Sequence, residues 1–142
     1  MPNGQALEWV MENGGPAIRY RTAIELLDDP TGVDLDELTA ALLKSPSVNG
    51  WLERLIPETG SNQLHSSKPT AYENAMGKLT QLGCRSGMSP FDERVRPFRE
   101  WLARAAENGS DWSWKPFERM IVGGFLAVAG YQSDPAVVQQ VA

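Results

Sequence analysis

Cysteine and histidine are nearly missing from this chain: its 142 residues include one Cys, Cys84, and one His, His65. One thiol cannot close an internal disulfide, so a stapled secreted scaffold is excluded and a reducing, cytoplasmic setting is expected. One Cys and one His, 19 positions apart, cannot complete the usual four-coordinate zinc site alone, so no metal is expected. Excess positive charge is also lacking. A formal charge of −5 and a pI near 4.9 have the wrong sign for capturing nucleic acid through its phosphates. The densest arginine cluster, Arg94, Arg96, Arg99 and Arg104, is interleaved with Asp92, Glu93, Glu100 and Glu107, as on a solvated helix face. Long apolar runs are absent as well. The richest, "MIVGGFLAVAG" from Met120 to Gly130, is about half of the ~20 residues a membrane span needs and reads as a buried helix. The start, "MPNGQALEWVMENGG", has neither a basic n-region nor a long apolar core, so no leader peptide is expected. Walker A, Rossmann glycine, Gly-x-Ser-x-Gly and His-Glu-x-x-His patterns are missing, which leaves cofactor chemistry without support and the cofactor expectation at none.

What the chain does have is apolar spacing of helical period, cut into segments by proline and small polar residues. Tyr20, Ala23, Ile24 and Leu27 fall at i, i+3, i+4 and i+7, and Leu35, Leu38, Leu42 and Leu43 follow on a second segment that opens with acidic residues. Ser45 and Pro46 suit the cap and first position of a further helix. Residues 57–68 form the longest non-periodic stretch, a loop. Thr70 and Glu73 then have capping-box spacing, ahead of a stripe of Tyr72, Ala75, Met76, Leu79 and Leu82 that Gly83 stops. Ser89 to Asp92 repeats the cap pattern before Phe91, Val95, Phe98 and Leu102, and Pro97 is expected to kink or divide that helix. Gly123 and Gly124, placed mid-helix at a propensity cost of up to ~1 kcal/mol each, imply a close helix-on-helix approach. No segment reads as a strand. The expectation is one all-α domain over 1–142, built of seven or eight helices in antiparallel hairpins. Periodicity leaves a helical bundle, a HEAT-like α-solenoid and an α/α-toroid all open.

Three stretches, "WVMENGGPAIRYRTAIELLDD", "TAYENAMGKLTQLGCRSGMSPFDERVRPFREWLA" and "GGFLAVAGYQSDPAVV", resemble helical hairpins of bacterial α/α-toroid proteins similar to terpenoid cyclases and protein prenyltransferases. Pro16, Arg19, Tyr20, Thr22, Leu26 and Leu27 match the Pro-x-x-Arg-Tyr-x-Thr-x-x-x-Leu-Leu element of that family. The resemblance implies a partial toroid: the first part of a longer one, with a natural chain continuing past Ala142, or a degenerate relative. The family's chemistry is not visible here. The nearest string to its acidic Asp-x-Asp-Asp motif, Asp34-Leu-Asp36-Glu37, sits at a helix start where the dipole explains the charge. Asp28-Asp29 is followed by Pro30 and Thr31, not by a third carboxylate at helical spacing.

The candidate catalytic residues are His65, Tyr72 and Glu73. His65 is of the residue type that most often serves as general acid or base, and the other two stand in the first turn of a helix whose N-terminal end would face a toroid's cavity. Each also has a structural reading: a loop histidine bonded to backbone, a core tyrosine, a capping glutamate. Asn74, Arg19, Tyr20, Trp112 and Trp114 are the candidate ligand or partner contacts, with the two tryptophans in a loop beside Ser110 and Asp111. The remaining tryptophans, Trp9, Trp51 and Trp101, are expected mostly in the core. Cys84 beside Arg85 reads as an inert, half-buried thiol. The preferred function is a non-catalytic helical module that binds an apolar small molecule or a protein partner, with homo-oligomer formation open. A terpenoid-cyclase-like or prenyl-transfer-like enzyme is the alternative, since fold does not fix activity.

Overall fold

A computed structural model describes residues 2–57, 61–107 and 115–141 and is all-α, with no strand among the described residues. The helices are α1 (Pro2–Asn13), α2 (Pro16–Glu25), α3 (Leu35–Lys44), α4 (Pro46–Arg54), α5 (Ser61–Leu64), α6 (Tyr72–Leu82), α7 (Ser89–Glu107), α8 (Lys115–Leu126) and α9 (Pro135–Val141). No described helix is long and apolar enough to cross a membrane. The chain divides into two compact units, residues 1–49 and 50–142.

In the first unit α2 packs against both α1 and α3, burying Tyr20, Ala23, Leu38 and Leu42. Pro16 starts α2, where a missing N–H costs nothing. The Asp34 carboxylate accepts the Glu37 amide at 3.0 Å, and Asp36 and Glu37 fill the first turn of α3. The acidic string is therefore a helix start. The Ser45 hydroxyl donates to the Leu42 carbonyl (2.8 Å) and accepts from the Val48 amide (3.4 Å), closing α3 and opening α4.

In the second unit α8 packs against α5, α6, α7 and α9. Tyr72, Met76 and Leu79 of α6, Phe91, Val95, Phe98 and Leu102 of α7, Val122 and Leu126 of α8 and Val137 of α9 are all buried. The Tyr72 ring lies 4.6 Å from Phe98 and 6.0 Å, edge-on, from Phe125, and its hydroxyl donates to the Val122 carbonyl at 2.9 Å. Gly83 ends α6 in the left-handed region (φ 110°), and the Cys84 amide reaches back to the Leu79 carbonyl at 2.9 Å. A side chain would be strained at that dihedral.

Five local expectations change. The stretch 57–68, read as a loop, contains the short helix α5 (Ser61–Leu64). The capping box does not form, because α6 begins one residue late: buried Ala71 is the N-cap and makes no side-chain cap bond, so Glu73 falls at the second helical position and pairs elsewhere. Pro97 does not divide α7, which runs unbroken through it. Burying Val95, Phe98 and Leu102 on both sides stabilises by about 1.5–3 kcal/mol per side chain, enough to outweigh a ~3 kcal/mol proline. A close approach accounts for only one glycine of the pair: a Cβ on Gly123 would lie 3.0 Å from Gln140 Cβ, whereas one on Gly124 would meet nothing within 4 Å. Trp9 is 64% exposed and Trp51 and Trp101 are partly buried, so these three lie outside the fully buried core.

Phe98→Ala is expected to lower unfolding free energy in urea by about 3–5 kcal/mol, as for a large core truncation. Tyr72→Phe, which keeps the ring and leaves the Val122 carbonyl its helical role, is expected to cost about 1 kcal/mol. A Tyr72→Phe loss as large as that of Phe98→Ala would mean the hydroxyl does more than one hydrogen bond.

Candidate functional site

Leu64, fully buried, anchors the end of α5 and delivers His65 to the surface. The His65 Nδ1 lies 2.8 Å from Glu73 Oε2, and its ring stands edge-on to Phe117 at 5.4 Å. The Asn74 amide donates to the Ser66 and Lys68 carbonyls, both at 2.8 Å. His65, Glu73 and Asn74 thus tie the loop after α5 to the first turn of α6. Tyr72 points the other way. Its hydroxyl is spent on Val122, and burial pushes its pKa well above the ordinary value. The structure brings His65 and Glu73 together and keeps Tyr72 apart from them. In the first unit Tyr20 is a core residue; Arg19 is half-buried and its Nε has no hydrogen-bond partner among the described residues. Trp112 and Trp114 lie outside the described residues.

A polar depression of about 700 Å³, lined by Ser86, Gly87, Asp92, Arg96, Arg99 and Tyr131 together with Asp134 and its neighbours, was not legible in the sequence. The Tyr131 hydroxyl donates to Asp92 Oδ1, and the same carboxylate accepts the Gly87 amide at 3.1 and 3.2 Å. Arg99 Nε donates to Asp134 at 3.0 Å, and its guanidinium stacks 4.6 Å over the Tyr131 ring. Asp134 also accepts the Ala136 amide at the start of α9 (3.1 Å). The loop before α7 docks on the end of α8, with the Ser86 amide on the Ala129 carbonyl (2.8 Å) and its hydroxyl on the Gly130 carbonyl (3.1 Å). Gly130, at φ 100°, permits that docking, since a Cβ there would lie 2.7 Å from Ser86 Oγ. Burial, then the Asp92 bond, raises the Tyr131 pKa far above the usual phenol value. In this arrangement the phenol is a proton donor to Asp92. These groups are consumed in holding α7, the end of α8 and α9 together. The signal was hidden because Tyr131 and Asp134 lie 39 and 35 positions from their partners.

Cys84 is buried, and burial lifts its thiol from 9.0 to about 11, the state of an unreactive cysteine. Among the described residues no three His, Cys, Asp or Glu side chains gather as a metal ion would require.

The remaining feature is the outer face of α8. Although read from the sequence as a buried helix, it leaves Phe117 46%, Met120 57% and Val128, on the wider turn that follows it (Ala127–Tyr131), 73% exposed. Open Gly124 lies between Met120 and Val128, and Ile121 and Phe125 are partly exposed beside it. No charged residue interrupts positions 120–130. Comparison of the chain with family models, curated proteins and solved structures returned no match.

Two outcomes follow. At neutral pH, Cys84 is expected to react with iodoacetamide at least ~10-fold more slowly in the folded chain than in urea, as mass spectrometry would show. Folded Tyr131 keeps its proton to higher pH than the unfolded chain's phenol, so its contribution is intact below pH 10 and is lost as pH rises above that value. Tyr131→Phe should therefore flatten part of the alkaline decline in unfolding free energy measured in urea from pH 9 to 11.

Proposed function

We propose that this chain is a non-catalytic helical module that binds a protein partner along the outer face of α8. The observation that carries this reading is the uninterrupted apolar ridge of Phe117, Met120 and Val128, with Gly124 open at its centre. The core does not need it, because α8 already supplies Val122 and Leu126 inward. Gly124 costs up to ~1 kcal/mol relative to Ala in a helix, and nothing within 4 Å calls for the missing Cβ. A second helix lying across the ridge would. Spacings of three, four and seven residues are those by which one helix face engages another, and grouped exposed apolar side chains are a mark of interaction surfaces.

An apolar small molecule would need a concave, mostly apolar enclosure, whereas the depression beside Tyr131 is lined by self-paired polar groups. For chemistry, the His65–Glu73 pair is a surface contact without Tyr72. A partner helix could use the α8 ridge in a bundle, a solenoid or a partial toroid alike.

Met120→Glu and Val128→Lys should each change unfolding free energy by no more than about 0.5 kcal/mol, as surface substitutions do, while reducing fluorescence of a bound apolar-surface dye. Gly124→Ala should stabilise the free chain by up to ~1 kcal/mol. Losses of 2 kcal/mol or more in the two charged variants would show that the ridge belongs to the core and end this reading.

A further inference from the structure

We propose that the depression beside Tyr131 is a binding site for a small organic monocarboxylate, held by Arg96 and Ser133 and independent of the α8 face.

The polar groups that line this depression divide into those the fold uses and those it leaves over. Asp92, Arg96 and Arg99 stand at i, i+4 and i+7 of α7, a spacing that puts all three on one face of the helix. The two carboxylates are engaged. Asp92 accepts the Tyr131 hydroxyl and the Gly87 amide, with contacts to both of its oxygens. Asp134 accepts Arg99 Nε through one oxygen and the Ala136 amide through the other. The donors are not used up. The Arg96 guanidinium and the Ser133 hydroxyl make no hydrogen bond among the described residues, and Arg99 spends only its Nε–H, leaving both terminal nitrogens. Of the four charged residues in the lining, Arg96 alone has no bonded partner. What the fold leaves over is donor capacity. It suits a ligand group that only accepts, and an ionised carboxylate or phosphate is such a group.

Charge and shape choose between these two. A phosphate dianion would bring its second charge toward Asp92 or Asp134, whereas a carboxylate brings one charge, which Arg96 answers. The planar pair of carboxylate oxygens also matches the fork of a guanidinium, which can hold it through two parallel bonds. Ser86, Gly87, Gly130 and Pro135 add no further charge to the lining, and about 700 Å³ accommodates an uncharged remainder of small-molecule size. Arg94 provides the contrast: it is exposed two residues away on α7 and does not line the depression. The net charge of −5 gives no long-range attraction for an anion. Affinity therefore comes from the local bonds alone and is modest.

The test is NMR of the isotope-labelled full chain, titrated with sodium acetate to about 100 mM while sodium chloride is lowered in step to hold ionic strength constant. The Gly87 and Ser133 amides and the Arg96 Nε–H should shift together and saturate, with a Kd of about 1–10 mM. Arg96→Gln should weaken binding roughly tenfold or more, yet keep the wild-type urea midpoint, because the fold uses no bond from that guanidinium. Arg94→Gln removes the same charge and should leave the Kd unchanged. Sodium phosphate should shift the same signals several-fold more weakly than acetate. A shift that does not saturate, or that the two arginine variants affect alike, overturns the site. Phosphate bound as tightly as acetate overturns its assignment to a monocarboxylate.

Discussion

Tyr72 is the point on which the second unit closes. Its ring packs on Phe98 of α7 and Phe125 of α8, and its hydroxyl ends on the carbonyl of Val122. A buried hydroxyl without a partner would cost about 1–3 kcal/mol, so α6 can enter the core in this way only if α8 presents that carbonyl. Three helices are thereby held by one side chain. The same fact fixes the fate of its neighbours, because with Tyr72 turned inward Glu73 and Asn74 must face outward, where they secure the preceding loop.

The far end of the unit is closed differently. Tyr131, Asp92, Arg99 and Asp134 form a connected polar set in which Arg99 pairs with Asp134 and Asp92 accepts from the Tyr131 phenol and the Gly87 amide. Such a set stabilises modestly, but removing one member strands the others. It also specifies geometry. The wider turn at Ala127–Tyr131 and the positive φ of Gly130 place Tyr131 over Arg99, and the chain then turns into α9. A depression with this many ionisable groups resembles a reaction centre in composition; its bonding is that of a clamp.

With both ends held and Val122 and Leu126 turned inward, α8 has one face left over. That face is apolar, and the asymmetry between Gly123 and Gly124 marks the boundary: the first is pressed against α9, the second opens outward. A helix used on all but one side, with its last side kept free of charge, carries the proposal of a protein-binding role.

Much of this was legible in the amino-acid order, because helices are specified by spacings within one or two turns. The inward residues of α6 and α7, Tyr20 and Ala23 of α2, Leu38 and Leu42 of α3, the Ser45 cap and the Gly83 stop all follow from neighbours three or four positions apart. Where Thr70 and Glu73 suggested a capping box, the burial of Ala71, a tertiary fact, moved the helix start by one residue. Pro97 was tolerated because packing outweighed local propensity. The pairing of Tyr131 with Asp92, the orientation of Tyr72 and the exposure of Met120 and Val128 involve residues dozens of positions apart, or faces that neighbouring helices cover or leave bare. Local order alone determined that this chain is a set of amphipathic helices, since a 3.6-residue period is written in adjacent side chains. Only the tertiary structure decided which polar groups find partners and which apolar face is left outside, since those depend on how the helices are placed in space.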